Sequence, residues 1–106
     1  MDPQARDYLC LQAWIHLRYQ RVVDAIVILE GLAVLTPGDA WVHRTLSYAY
    51  LRNEDFQLCL EQQNHLLAQK SSTDRLFRVR ALWGLGQKDE ARRLIKELGG
   101  RLTKSQ

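Results

Sequence analysis

Apolar residues recur every three to four positions over stretches long enough for a helix, short polar breaks separate these stretches, and the same arrangement returns three times along the chain. Three small residues, Ala25, Cys59 and Ala91, each lie inside such a stretch and stand 34 and 32 positions apart. A period near 34 is that of a helix-turn-helix unit, which cannot bury its apolar face alone and must stack on its neighbours. In this frame the first unit runs from about residue 6 to 39, the second from 40 to 71 and the third from 72 to 98, with 99–106 left as a flexible tail. The expected fold is all-α, about six helices in three stacked hairpins, and the 106 residues form a single domain.

The breaks carry their own chemistry. Asp2-Pro3 starts the first helix, which continues to about Tyr19, because proline is tolerated in a first turn and aspartate accepts amide hydrogens there. A second helix spans about residues 22–35, and Val23, Ile26, Val27, Leu29 and Leu32 give it a broad apolar face. Thr36-Pro37-Gly38-Asp39 ends it, with Asp39 placed to cap the next helix, 40–52. Asn53-Glu54-Asp55 turns into a fourth helix over 56–69, and 70–74 makes the second break. A fifth helix reaches about Leu85 and a sixth spans Lys88 to Leu98, where Gly99-Gly100 is expected to stop it through a left-handed exit.

Composition narrows the class of partner. Net charge is +3, from 15 basic and 12 acidic residues, and 11 of the basic ones are arginine. The arginines are scattered through all three units among Asp and Glu, which describes solvated faces and salt bridges to a protein, not the basic stripe that nucleic acid requires. No run approaches the ~20 apolar residues of a bilayer span, and the beginning, MDPQARDYL, lacks the basic-then-apolar order of a secretory signal, so a cytosolic protein is expected. Cys10 and Cys59 fall within helical patterns and read as reduced, packed thiols.

Catalytic machinery and cofactor sites are absent from the pattern. His16, His43 and His65 share no ligand spacing, Cys10 belongs to no CxxC pair, and the Gly84-Leu85-Gly86 run has neither the rest of a phosphate-binding fingerprint nor a preceding strand, so it reads as a turn. The expectation is a non-enzymatic protein without metal or cofactor.

The in-register positions resemble the tetratricopeptide repeat. Ala13, Ala25, Leu29 and Pro37 fill its slots in the first unit, Leu46, Ser47, Ala49, Tyr50, Phe56 and Cys59 in the second, and Ala81, Gly86, Glu90, Ala91 and Ile95 in the third. Gln20 and Glu54 stand where that repeat's turn often has glycine, and Gly86 holds the equivalent place five residues before Ala91. The resemblance implies a short right-handed solenoid whose first helices of each pair line a concave wall. Carried over, that wall holds Cys10, Trp14, Leu17 and Arg18 in the first unit. It holds Trp41, Arg44, Tyr48, Leu51 and Arg52 in the second, and Leu76, Arg80 and Trp83 in the third. All three tryptophans are in the set. Ala13 and Ser47 mark the packing side, so Trp14 and Tyr48, the next residues, point about 100° away from it. Aromatic and leucine positions flanked by arginines are the composition of an interface core and its rim.

Tyr8 to Leu17, the Ile28-Leu29 to Leu35-Thr36-Pro37 exit and the Arg80 to Gly86 run ending at Asp89-Glu90-Ala91-Arg92 are further similar to bacterial type III secretion chaperones, nearest the YscY type. This resemblance implies a cytoplasmic chaperone that forms a heterodimer with a small secreted export component. It would bury an apolar segment of that client and deliver it to the membrane export gate without inserting into the membrane. Needle-subunit and translocator chaperones of the same systems are the neighbouring reading. A general peptide-tail adaptor, using Arg18, Arg44, Arg52 and Arg80 as a carboxylate clamp, is the other.

Overall fold

A computed structural model describes residues 1–66 and 71–104, with side chains as far as residue 99. Six helices follow one another: α1 (Pro3–Arg18), α2 (Val22–Leu35), α3 (Ala40–Arg52), α4 (Phe56–Gln63), α5 (Ser72–Gly84) and α6 (Lys88–Lys104). No strand occurs among the described residues.

The helix starts follow from their caps. The Asp2 carboxylate accepts the Gln4 amide hydrogen and Asp39 accepts that of Val42, each at 3.3 Å. Ser71 and Asp74 form a reciprocal capping box at the head of α5. Two ends differ from expectation. After Gln63, α4 tightens into a 3-10 turn over Asn64–Leu66, and the remainder of the helix expected to residue 69 lies outside the described residues. The Gly99-Gly100 stop is overturned, since α6 runs through both glycines to Lys104. Glycine permits a left-handed exit without enforcing one, and Gly86 is the glycine that adopts positive φ.

Each hairpin turns in the same way. Gln20, Glu54 and Gly86 have φ of 63°, 61° and 82°. The following amides, of Arg21, Asp55 and Gln87, reach back to the carbonyls of His16, Tyr50 and Leu82 at 2.8, 2.8 and 2.9 Å. Those are the bonds of a Schellman motif, repeated at the spacing of the small residues. A left-handed conformation costs a non-glycine residue about 1–2 kcal/mol. Glu54→Gly is therefore expected to raise stability by about 0.5–1 kcal/mol after the added freedom of the unfolded chain is subtracted, read as a higher urea midpoint.

Packing runs in chain order. Helix α1 lies on α2, α3 on α4 and α5 on α6, while α2–α3, α4–α5 and α3–α5 contacts join the pairs. Ala13, Ala25, Ser47, Ala49, Cys59, Ala81 and Ala91 are all fully buried, as are the larger Leu17, Leu29, Leu32, Val42 and Leu46. The result is elongated, 41 × 28 × 22 Å, with a radius of gyration of 14.8 Å. A compact chain of this length would have about 13 Å. The broad face expected on α2 divides: Ile26, Leu29 and Leu32 are buried, whereas Val23 and Val27 face solvent.

Gly84 belongs to helix α5 and not to the turn expected of the Gly84-Leu85-Gly86 run; only Gly86 turns. A Cβ on Gly84 would lie 2.6 Å from Cδ2 of Phe56, so the absent side chain is what lets α5 approach the head of α4. Gly84→Ala is expected to destabilise the protein by about 1–3 kcal/mol through this overlap, although alanine favours helix, and a thermal melt measures it.

Candidate groove between the first helices of the repeats

Helix α1 turns Trp14 away from its buried neighbour Ala13, and α3 does the same with Tyr48 beside Ser47. Between them, with Trp41 and Thr45 on α3 and Phe77 on α5, lies a groove of about 580 Å³. A second cavity of about 410 Å³ continues from it, sharing Trp14 and Tyr48 and reaching Leu17, Arg18, Gln20 and Arg52. Tyr48 stacks on Phe77 at 5.4 Å between ring centroids, and the Arg52 guanidinium lies over Tyr48 at 5.7 Å. Trp14 and Trp41 are 48% and 38% exposed, so a large share of each indole is offered to solvent.

Two arginines border the groove and are held by carboxylates at the head of the first helix of the next hairpin, Asp39 capping α3 and Asp74 in the first turn of α5. Arg6 on α1 meets Asp39 through Nε and Nη2 at 2.9 and 3.2 Å. Arg44 on α3 meets Asp74 through the same two nitrogens at 2.9 and 3.1 Å. Both contacts are bidentate, the geometry guanidinium favours. Burial pushes the Asp74 carboxyl up, but hydrogen bonds from Arg44 and from the Ser71 backbone and side chain outweigh it and hold it below the ordinary value of 3.8. Asp39 is lowered likewise, burial being outweighed by Arg6 and by the Val42 and Trp41 amides. Arg52 donates to the Leu17 carbonyl at 2.7 Å and to Gln20 Oε1 at 2.5 Å, closing the end of α1. Arg44 and Arg52, two of the four arginines of a carboxylate clamp, are thus committed inside the fold.

Of the twelve wall residues expected from the sequence, eight line the paired cavities: Cys10, Trp14, Leu17, Arg18, Trp41, Arg44, Tyr48 and Arg52. The other four lie elsewhere. Leu51 packs against the core, and Leu76 is exposed beside the groove without lining it. Arg80 covers the Phe56 ring at 5.4 Å, and Trp83 lies under Lys88 and Arg92 of α6 at 5.2 and 5.7 Å. Phe77, Leu11, Arg6 and Thr45 line the groove without having been anticipated. The frame carried over from the repeat family selected Leu76 in the third unit, whereas the wall is made by the adjacent Phe77, a signal that the rarer aromatic at that position could have given.

The remaining chemistry lies off the groove. His43 is buried and its Nε2 donates to the Pro37 carbonyl at 2.6 Å, while Nδ1 lies 3.0 Å from Gln62 Oε1. Its ring stacks on His65 at 4.4 Å and 8°, so two histidines that sequence spacing held apart are in contact. The rings lie face to face and do not converge on one point as metal ligands would; they fasten the α2–α3 turn to the end of α4. Among the described residues no group of three or more His, Cys, Asp or Glu could hold a metal ion, and no helix is long and apolar enough to cross a membrane. Burial raises the thiol pKa of Cys10 and Cys59, the opposite of an activated nucleophile. Compared with known protein families and with curated proteins, the sequence matches none of them.

Proposed function

We propose that this protein is a tetratricopeptide-type chaperone of bacterial type III secretion, similar to the YscY type, which holds an apolar segment of a small secreted export component in the groove between α1, α3 and α5. One observation carries the reading: Trp14 and Trp41, both largely exposed, converge with Tyr48 and Phe77, which pack one side against the core, on a continuous open groove. A groove of this kind gains affinity by removing a client's apolar side chains from water, and a half-exposed indole supplies the largest area for that purpose. Repetition of one turn geometry at Gln20, Glu54 and Gly86 supports three stacked repeats as the scaffold. The wall is preorganised by contacts within the fold, since Arg52 and Phe77 hold Tyr48 from two sides. A client therefore meets a surface whose ordering cost has been met in advance.

In this role the chain works in the bacterial cytoplasm, keeps its client soluble as a heterodimer and releases it at the export gate, with no cofactor and no catalytic step. The peptide-tail adaptor is disfavoured by the engagement of Arg44 with Asp74 and of Arg52 with the end of α1. The reading is tested by co-expressing the chain with each small open reading frame beside it in its native genome. One product is expected to be soluble only in its presence and to co-elute with it. If every neighbour is soluble alone and none co-elutes, the chaperone reading is wrong.

A further inference from the structure

The net charge of +3 is divided unevenly along the chain. From Arg75 to Lys104 there are nine basic residues and three acidic ones, whereas residues 1–74 carry six and nine. The third hairpin, α5 and α6, is therefore a basic end on an acidic remainder. Its outer face is not purely charged. Leu76, Arg80 and Trp83 on α5 stand at i, i+4 and i+7, and so do Lys88, Arg92 and Ile95 on α6, each row within an arc of about 60°. Lys88 and Arg92 lie over the Trp83 ring at 5.2 and 5.7 Å, so the two rows adjoin and form one patch. Leu76, Trp83 and Ile95 are 57%, 41% and 47% exposed, and none of the six residues lines the groove.

The cations of this patch keep their donors. Arg6, Arg44 and Arg52 spend theirs on acceptors within the fold. The Arg80 guanidinium lies over Phe56 at 5.4 Å and Lys88 over Trp83, and among the described residues neither makes an ion pair. Arg92 gives one N–H to Asp89 at 3.2 Å, a pair exposed on both sides. A cation resting on an aromatic face is held in place with most of its hydrogen-bonding capacity unspent, which suits it to a carboxylate arriving from outside. The three apolar side chains among the cations complement apolar side chains on the same ligand, and they offer nothing to the phosphates of a nucleic acid. A base stacking on Trp83 would have to displace the cations already on its ring. We propose that this face of the third hairpin docks an acidic segment of another protein, whose carboxylates meet Arg80, Lys88 and Arg92 and whose apolar side chains meet Leu76, Trp83 and Ile95. The site is separate from the groove and does not depend on what the groove holds.

Heteronuclear NMR titration of the full chain with a synthetic peptide bearing glutamate and leucine at helical spacing tests the proposal, with circular dichroism confirming that each variant keeps its helix content. Amide shifts are expected to centre on residues 76–95, with a dissociation constant of about 10–100 μM at low salt that rises about tenfold between ~50 and ~300 mM sodium chloride. Arg80→Glu or Lys88→Glu weakens binding by about tenfold, whereas Arg21→Glu, an equal change of charge at an exposed position of the first hairpin, changes it by less than about twofold. Replacing every glutamate of the peptide with glutamine lowers its affinity at least as far as either reversal does. Absence of binding, shifts centred on Trp14 and Tyr48, an equal loss with Arg21→Glu, undiminished binding of the glutamine peptide, or tighter binding of a uridine oligonucleotide or of phosphatidylglycerol vesicles at the same residues would overturn it.

Discussion

Asp74→Ala is expected to lower the stability of the fold by about 2–4 kcal/mol, a large part of the roughly 5–15 kcal/mol typical of a domain. The carboxylate is buried, accepts two hydrogen bonds from Arg44 and one from the Ser71 amide, and stands in the first turn of α5. Its removal leaves the Arg44 guanidinium beside the groove without that carboxylate and takes the reciprocal cap from α5. Urea denaturation at neutral pH measures the loss, and a midpoint unchanged from wild type would contradict this account. A pH dependence of known sign follows. Asp74 and Asp39 both titrate below 3.8 in the folded chain. Their contribution is full above the unfolded carboxyl value and disappears as pH falls through the unfolded and then the lower folded value, so stability declines as pH falls through and below the ordinary carboxyl range. Asp74→Asn flattens that decline, because one of the two linked carboxylates no longer titrates.

Trp14→Ala carries the largest expected effect on client binding, a loss of about 2 kcal/mol or more, equivalent to about thirtyfold in dissociation constant. Trp14 lines both cavities and is 48% exposed, so its truncation removes contact area for a partner while costing the fold within about 1 kcal/mol. Tyr48→Ala is expected to weaken binding similarly and to cost more stability, since Tyr48 also stacks on Phe77. Calorimetric titration of client into wild type and variants, beside thermal melts of each, separates the two effects. A Trp14→Ala protein that melts and binds as wild type does would remove the groove from the binding surface.

Local signals in the sequence located α2 and α3 to the residue, because Pro37, Gly38 and Asp39 act on their own chain neighbours. The recurrence of small residues likewise gave the contacts between helices, each of which proved fully buried. What spacing did not reveal lies between repeats. Arg6–Asp39 and Arg44–Asp74 join residues 33 and 30 positions apart, and the sign of a charge does not say which opposite charge it meets. The period itself was the available signal, an arginine on one first helix and an acidic cap about one repeat later. His43 and His65 were judged by ligand spacing along the chain, which does not register two rings brought together by the return of α4 along α3. At Gly99-Gly100 the residue type indicated a permitted exit, and the continuing helix did not take it.

The paired latches also impose a direction on assembly. Arg6 finds its acceptor only when the chain has grown to Asp39, and Arg44 only when it has reached Asp74. A ribosome releasing this protein from its N-terminus therefore exposes each hairpin before the residue that secures it has been made. The third hairpin is in that sense the clasp of the second, and a chain truncated before Ser71 would display Trp14, Trp41 and Tyr48 without the carboxylate that fastens Arg44 or the Phe77 ring that completes the groove.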